Sequence, residues 1–301
     1  VELEHPQTAG TEHQARVEHA VERGVAAGKG VVIAAGEAEA RGALDEMLVA
    51  RRFGDTTVLV EDFVAGEELS LLALCDGERA LPMAPAQDYK RIFDGDEGPN
   101  TGGMGSYSPV PGIGAAEVAD ITARVHQPVV DLMRERGTPF HGVLYAGLML
   151  TRAGPSVLEF NARFGDPETQ AVLPRLHSDL LDVLARATRP GGLAGVELEW
   201  DARCAVTLVL ASAGYPATSS SGDAITGLED VPSEIEVTHA GTARGEDGEI
   251  VTAGGRVLNL TALGDDPAAA RDAAYAAADM VQFPGRQIRS DIALRAVRHA
   301  A

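Results

Sequence analysis

The 301-residue sequence contains little cysteine and no long apolar segment. Its two cysteines, Cys75 and Cys204, are too few for a disulfide framework and are not spaced as metal ligands, so both are expected to be core thiols. No apolar run approaches the roughly 20 residues that a membrane-spanning helix needs. The polar N-terminus lacks the apolar core of a signal peptide. These absences predict a cytoplasmic protein without a membrane partner.

Basic residues are also scarce, because 25 Lys and Arg face 45 Asp and Glu, for a formal net charge of -20. This charge repels a nucleic-acid backbone or an anionic membrane surface, so neither is expected as the main partner. The negative net charge still allows a small anion to bind in a local basic pocket. Lys29 and Lys90 are the only lysines in the sequence. This preference for arginine over lysine is consistent with a GC-rich genome. Lysines that persist in such a sequence are candidates for roles that arginine cannot fill.

The rest of the composition, 45% hydrophobic and 23% charged residues, is typical of a globular protein, and the length suggests two domains. A short helix is predicted over 14–23. Apolar periodicity and turn residues predict strands at 31–34, 56–64, 68–76, 80–88, 142–150 and 156–160, and helices at 37–51, 115–136 and 173–187. Residues 94–112 are too rich in Gly, Pro and Asn for a regular element and predict a functional loop. The segment 188–195 is the best candidate for a linker to a small α+β domain.

The first candidate motif is the glycine-rich segment GVAAGKG at 24–30. Its glycines allow the backbone to approach phosphate oxygens closely, and Lys29 adds a point charge. The segment is not a Walker A motif, because the final Ser or Thr is absent and a strand follows. An ordinary loop is at least as compatible with these residues.

The second motif, EDFVAGEE at 61–68, lies between two predicted strands. It is either a solvated hairpin or an extended hinge whose backbone binds a purine edge while a following carboxylate binds ribose hydroxyls. On the residues alone, the hairpin is slightly favoured.

The third motif runs from QDYKR (87–91) into GPNTGGMG (98–105). Its three glycines within four residues predict backbone N–H groups that are free to point at an anion. A surface linker is the alternative, but Asn, Met and Tyr107 are rarely so closely spaced in linkers. A ligand-binding loop is therefore favoured.

The fourth motif is LEFNARFGDPETQ at 158–170. On a strand, Glu159 and Asn161 point to one face, and Leu158 and Phe160 point into the core. A carboxylate and an amide oxygen on one face suit Mg²⁺ that bridges nucleotide phosphates. If the strand continues, Arg163 lies on the same face, where it can bind a carboxylate or phosphate. The alternative is a strand edge followed by a helix-capping Asp-Pro.

Together, the four motifs resemble the phosphoribosylamine–glycine ligases (glycinamide ribonucleotide synthetases), ATP-grasp enzymes of purine synthesis. The resemblance runs from about Gly24 to Ala296. It is most specific in PNTGGMGSYSP (99–109) and in the fourth motif. It also includes LYAGLM (144–149), AGYP (213–216), HAGT (239–242) and GGRVLNLTALG (254–264).

The resemblance implies a mixed α+β and α/β structure, with an ATP-grasp fold followed by a small C-terminal α+β domain. The implied ATP-grasp domain spans 24–190, of which 24–66 are part of a mobile lid, and the C-terminal domain spans 191–301. Residues 1–23 remain unassigned.

The resemblance also implies roles for individual residues. The implied ATP-binding residues are Lys29, Gly30, Glu61, Phe63, Val64 and the ribose partner Glu68. The implied catalytic residues are Lys90, Arg163 and Asp166, and the implied ligands of Mg²⁺ or Mn²⁺ are Glu159 and Asn161. The implied contacts to glycine and phosphoribosylamine are Asp88, Asn100, Thr101, Gly102, Gly103, Arg163 and Gly165.

The implied reaction is the ATP-dependent ligation of glycine to 5-phosphoribosylamine through glycyl phosphate. Such chemistry needs positioning and charge neutralisation more than a protein nucleophile, which agrees with the lack of a Ser/His/Asp arrangement. Family members begin with a Rossmann-like domain that has no counterpart here, and VEHAVERG stands where they carry a strand with a phosphate-binding lysine. Two alternatives therefore stay open. One is an inactive nucleotide-binding remnant, complemented or not by an N-terminal domain in trans, and the other is a ligase for a different carboxylate and amine.

Overall fold

The computed structural model describes residues 15–20, 31–55 and 57–300. In these ranges no helix combines the length and apolarity required to span a membrane. The chain divides into two compact units, residues 1–65 and 66–301.

The first unit contains β1 (Ala15–Ala20), β2 (Val31–Ala34), α1 (Glu37–Leu44) and β3 (Thr57–Asp62). The strands form an antiparallel sheet in the order β2–β1–β3. The helix predicted over 14–23 is therefore wrong, because β1 pairs with strands on both sides and this pairing outweighs the helical preference of so short a segment. The predicted strand at 31–34 is confirmed. The helix predicted from residue 37 is also confirmed, and a π-helical turn extends it to Val49.

The second unit holds all the remaining elements. Its strands are β4 (Glu67–Asp76), β5 (Ala80–Pro82), β6 (Gln87–Asp88), β7 (Arg91–Phe93), β8 (Glu97–Asn100), β9 (Gly105–Ser108), β10 (His141–Thr151), β11 (Gly154–Asn161), β12 (Cys204–Ala211), β13 (Ser221–Ala224), β14 (Glu236–His239), β15 (Thr242–Arg244), β16 (Ile250–Ala253) and β17 (Arg256–Gly264). Its α-helices are α2 (Ala115–Ile121), α3 (Gln127–Glu135), α4 (Glu168–Val172), α5 (Leu180–Ala187), α6 (Pro267–Met280) and α7 (Leu294–Ala300). Strands β13, β16 and β15 form a small sheet, and β7 pairs with β8.

A four-stranded antiparallel sheet in the order β11–β10–β4–β5 provides one half of this unit. The predicted antiparallel return after Gly77 is confirmed by the pairing of β4 with β5. Strand β11 lies at the edge of the sheet. Phe160 was predicted to point into the core, and this is wrong: it is 41% exposed, because an edge strand is covered by a neighbour on one side only.

A five-stranded antiparallel sheet in the order β14–β17–β12–β9–β6 provides the other half. It combines strands from before and after the predicted linker at 188–195. The prediction of irregular structure over 94–112 is wrong in part, because β8 and β9 lie within it and all four residues of β9 are buried. Strand β9 exists because β12, a distant segment of the chain, supplies its hydrogen-bonding partner.

The helix predicted over 173–187 is also only partly correct. Leu173–Arg175 form a single 3₁₀ turn, the chain then becomes extended at Leu176, and α5 begins at Leu180. Pro174 and Asp179 explain the break, because proline disfavours a continuous helix and the Asp179 carboxylate caps α5 by accepting from the N–H groups of Leu181 and Asp182.

The largest core cluster lies between the four alanines that α6 buries and the strands β12 and β17. Its fully buried leucines include Leu208, Leu258 and Leu260, and burying each contributes roughly 1.5–3 kcal/mol. Cys75 is buried as predicted, and burial raises the pKa of its thiol to about 12, whereas Cys204 is half-buried. Both cysteines are free thiols.

Candidate active site

The predicted metal pair lies on one face of the four-stranded sheet. Across the sheet, Glu159 of β11 lies opposite Gly147 of β10, which lies opposite Ser70 of β4. Two residues along the strands, and so on the same face, Asn161 lies opposite Tyr145. Residues directly opposite one another share a face, so these side chains form one polar surface. Gly147 contributes no side chain at its centre, and a Cβ there would lie 3.2 Å from Glu159 Cγ.

Glu159 and Asn161 have the donor chemistry of a site for a small, hard cation. A carboxylate and an amide oxygen are ligands that Mg²⁺ accepts. Within the described residues, no group of three or more His, Cys, Asp or Glu could hold a metal ion. The chemistry of these two side chains therefore fits a small, hard cation.

Lys90 follows β6 and forms a salt bridge with Asp88, with 2.8 Å between Nζ and Oδ2. Its Nζ lies 3.8 Å from the Glu68 carboxylate. Burial opposes the charge of Lys90, but Asp88, Tyr145, Glu68 and Glu168 together hold its pKa well above the usual range. The predicted residues Lys90, Asp88 and Glu68 are thus brought together around one permanent positive charge.

Glu168 is buried beside this pair and was not predicted as a site residue. Its Oε1 accepts hydrogen bonds from Ser70 Oγ and from Tyr145 OH, each at 3.0 Å. Burial and the charge of Asp88 raise the pKa of Glu168, although Lys90 lowers it. Tyr145 therefore connects Glu168 to the face that carries the metal pair. The fourth motif contains Glu168, but its position after Asp-Pro indicated only the first turn of a helix.

The loop after β11 carries three more predicted residues. Strand β11 ends at Asn161, so the condition for placing Arg163 on the metal face is not met. Arg163 is exposed, and its Nη1 donates to the carbonyl of the next residue at 2.9 Å. Gly165 makes room for the buried acid, because a Cβ there would lie 2.4 Å from Glu168 Oε2. The Asp166 side chain is partly exposed and accepts from Gln170 Nε2 at 3.0 Å.

The backbone N–H groups of the predicted anion-binding loop, GPNTGGMG (98–105), are hydrogen-bonded differently from the prediction. Its four successive N–H groups, from Thr101 to Met104, all donate to protein acceptors. In chain order these are Lys90 O at 2.7 Å, Tyr215 OH at 2.9 Å, Thr101 Oγ1 at 2.9 Å and Tyr89 O at 2.7 Å. The prediction that these N–H groups are free for an anion is therefore wrong. The loop folds onto its own chain and onto the C-terminal part, and side chains such as that of Asn100 are left as its candidate binding groups.

Five predicted ATP contacts remain. Two of them, Lys29 and Gly30, lie outside the described residues. Glu61 lies in β3 of the first unit, and Phe63 and Val64 follow that strand, with Phe63 36% exposed.

Sequence and structure comparisons agree on the class of this protein. Residues 3–169 match the family model described as phosphoribosylglycinamide synthetase, ATP-grasp (A) domain, and residues 205–295 match the model of the C domain. The fold is therefore an ATP-grasp fold. The first match begins at residue 3, so the prediction that the likeness begins near Gly24 is wrong.

The chain belongs to the phosphoribosylglycinamide synthetase family. It is 48% identical over 278 residues to a phosphoribosylamine–glycine ligase of Ralstonia nicotianae and 50% identical over 280 residues to one of Streptomyces coelicolor. These matches cover 91% of this chain but only 65% and 64% of the two relatives. The chain thus spans slightly less than two thirds of their length.

Solved structures show the same fold. A phosphoribosylamine–glycine ligase from Thermotoga maritima is 33% identical, with a TM-score of 0.78, over 92% of this chain and 68% of that one. The biotin carboxylase domain of the Hydrogenobacter thermophilus 2-oxoglutarate carboxylase has a TM-score of 0.64 at 14% identity, over 91% of this chain and 58% of that one. At that identity the second likeness concerns the fold alone.

Proposed function

We propose that the chain carries the ATP-dependent carboxylate activation that ligates glycine to 5-phosphoribosylamine and gives glycinamide ribonucleotide. The observation that carries this proposal is the continuous polar surface from Glu159 and Asn161, through Tyr145 and Glu168, to Lys90. It lies within a chain that is 48% identical to a phosphoribosylamine–glycine ligase.

The proposed chemistry needs fixed charges rather than a protein nucleophile. ATP would transfer its γ-phosphoryl group to a glycine carboxylate oxygen, and the amine of phosphoribosylamine would then displace phosphate from glycyl phosphate. Lys90 offers a compact positive charge to the negative charge that develops in both steps. Mg²⁺ or Mn²⁺ held by Glu159 and Asn161 would neutralise phosphate charge. Asp88 and Glu68 would keep the Lys90 ammonium protonated and oriented.

The other predicted residues complete the proposed site. For the nucleotide we propose Lys29, Gly30, Glu61, Phe63, Val64 and Glu68. For the two other substrates we propose Asp88, Asn100, Thr101, Gly102, Gly103, Arg163 and Gly165. For catalysis we propose Lys90, Arg163 and Asp166. We also propose that the part of the relatives that this chain does not span contributes to binding of the amine and can do so in trans.

The test is an assay of glycinamide ribonucleotide formation by this chain alone and by this chain with a separately expressed N-terminal domain of a complete relative. We expect little product from the chain alone, because an unpositioned amine loses several kcal/mol of barrier lowering, and clear product when the domain is added. Reactions without glycine serve as controls.

Three outcomes would overturn parts of the proposal. Absence of product in both arms together with absence of ATP binding would favour the inactive remnant. Turnover with another amino acid but not with glycine would favour a ligase for a different carboxylate. Full activity of the chain alone would refute the proposed contribution in trans.

A further inference from the structure

Gly102, in the middle of the predicted substrate loop, is held on both sides of its peptide backbone by distant residues. Its N–H donates to Tyr215 OH at 2.9 Å, and its carbonyl accepts from Arg256 Nη1 at 2.7 Å. Both partners lie more than a hundred residues further along the chain. The loop therefore takes its conformation from the C-terminal part of the protein.

Arg256 also holds the second predicted loop. The same Nη1 donates to the Asp166 carbonyl at 2.8 Å, and Nη2 donates to Asp166 Oδ2 at 3.2 Å. One guanidinium group therefore connects Gly102 with Asp166. A planar fork of donors can make these contacts together, whereas the ammonium of lysine, which lacks this fixed geometry, cannot.

The two loops also touch each other directly. A Cβ on Gly103, whose φ is +113°, would lie 2.4 Å from Pro167 Cδ. A Cβ on Gly102 would lie 2.8 Å from the guanidinium carbon of Arg256. The glycines of this motif therefore allow loop–loop and loop–arginine packing.

The two holding residues are themselves fixed in the second unit. Arg256 begins β17 and lies opposite Ala211 at the end of β12. The Tyr215 ring packs against Gly255, where an added Cβ would lie 2.3 Å from Tyr215 Cδ2. Gln287 Nε2 donates to the Tyr215 carbonyl at 3.1 Å. Side chains that are locked in this way can hold loops to the precision that catalysis requires.

We infer that Arg256 and Tyr215 are positioning residues that set the placement of the Thr101–Gly103 loop relative to Asp166. They act through these loops and not on the reacting atoms. The structural half of this inference, that Arg256 and Tyr215 hold the two loops, rests on the contacts above. Its kinetic half, that this placement affects the use of glycine, rests on the proposed function.

The structural half is tested by hydrogen exchange in Arg256→Lys and Tyr215→Phe, with Arg203→Lys as the matched control. Arg203 forms an exposed salt bridge with Asp201 at 2.6 Å and contacts neither loop with its side chain. We expect Arg256→Lys to speed exchange in both 101–104 and 165–169. Tyr215→Phe should do so in 101–104 only, since its hydroxyl holds only Gly102. Unchanged exchange over 165–169 in Arg256→Lys, or over 101–104 in Tyr215→Phe, would overturn the inference.

The kinetic half is tested by glycine-dependent ATP turnover of the same variants with the N-terminal domain of a relative present. We expect the KM for glycine to rise roughly tenfold or more in Arg256→Lys, because small displacements of positioning groups have large kinetic effects, while the Kd for ATP stays unchanged. Equal losses of ATP affinity and glycine affinity would indicate general disruption and overturn this half.

If the parent chain shows no glycine-dependent turnover, the proposed function fails, but the exchange result still decides whether Arg256 couples the loops. If Arg256→Lys does not fold, Tyr215→Phe and Asp166→Asn test the two loops separately.

Discussion

Lys90 and Arg289 are two cations in polar surroundings, and their hydrogen bonding differs sharply. The Arg289 side chain is fully buried, and four of its five N–H groups donate hydrogen bonds. Its acceptors are both carboxylate oxygens of Asp291 at 2.7 and 2.6 Å, Asp96 Oδ1 at 2.9 Å and the Arg91 carbonyl at 3.0 Å, and its guanidinium lies 4.7 Å from the centre of the Tyr89 ring.

Lys90, by contrast, is only partly buried, and one hydrogen bond, to Asp88, is within normal distance among the described residues. Glu68, at 3.8 Å, is an ion-pair partner beyond hydrogen-bonding range. A cation whose donors are nearly all occupied by protein acceptors stabilises the fold, whereas an ammonium with donors to spare can bind a ligand. The comparison therefore assigns Arg289 to structure and supports the proposed role of Lys90 at the candidate site.

The largest expected effect is on stability at Arg289. Arg289→Met removes the arginine that pairs with Asp291 and one of the two arginines that pair with Asp96, which keeps Arg295. Breaking an ion pair whose arginine is buried in this way costs up to about 3–5 kcal/mol. Urea unfolding measures this loss. The control is Arg186→Met, because Arg186 pairs with Asp182 on an exposed helix face and such pairs contribute only about 0.3–0.5 kcal/mol. Similar losses in the two variants would contradict the structural role of Arg289.

The reciprocal prediction concerns Lys90. Lys90→Arg keeps the charge beside Asp88 and should leave the free energy of unfolding within about 1 kcal/mol of the parent. Glycine-dependent turnover should fall roughly 10²–10³-fold, the typical effect of losing a well-placed group that stabilises developing charge. Steady-state kinetics with the N-terminal domain present measure it. Full turnover in Lys90→Arg would show that a compact ammonium is not required.

A third effect tests the metal pair. Saturating Mg²⁺-ATP should stabilise the parent, by about 2.7 kcal/mol when the ligand is at a hundred times its Kd. Glu159→Gln removes one negative charge from the cation site and should lose nearly all of this stabilisation. Thermal unfolding with and without Mg²⁺-ATP measures it, with the exposed Glu117→Gln as control. Equal shifts in Glu159→Gln and in the parent would reject the metal assignment.

The smallest effect is a pH dependence at Glu168. Because the pKa of Glu168 is raised in the folded state, the folded chain holds this proton more tightly than the unfolded chain. Its contribution to stability is fully present below the ordinary Glu pKa and is lost as pH rises through the raised value. Glu168→Gln can keep the contacts to Ser70 and Tyr145 without ionising. The free energy of unfolding of the variant minus that of the parent should therefore rise with pH above about 4.5, by about 1.4 kcal/mol for each pKa unit of the shift. A difference that is constant with pH would contradict the raised pKa.

Much of the fold could be predicted from the sequence, because most elements have local signals. The strands β4, β10 and β11 follow from apolar runs that end at turn residues, and helix α1 follows from its periodicity. Apart from the break at Pro174 and Asp179, the errors occur where distant chain segments decide the structure. Strand β9 depends on β12, β1 depends on β2 and β3, and the exposure of Phe160 depends on β11 being an edge strand.

In the candidate site, too, local features could be predicted and features that depend on distant segments could not. The Glu159–Asn161 pair could be predicted because alternation along one strand is a local property. The free N–H groups of the glycine loop were predicted incorrectly, because their acceptors, including Tyr215, cannot be identified from the loop sequence. Glu168 and Arg256 were missed for the same reason, since their importance depends on partners brought together by two sheets.

The central claim is that glycine is activated as its acyl phosphate, and isotope transfer tests it most directly. Glycine labelled with ¹⁸O in its carboxylate is incubated with ATP, Mg²⁺, phosphoribosylamine, this chain and the N-terminal domain of a relative. The account predicts that inorganic phosphate acquires one ¹⁸O atom for each glycinamide ribonucleotide formed, because displacement from glycyl phosphate leaves a carboxylate oxygen on phosphorus. Unlabelled phosphate released at the same rate with or without glycine would contradict it.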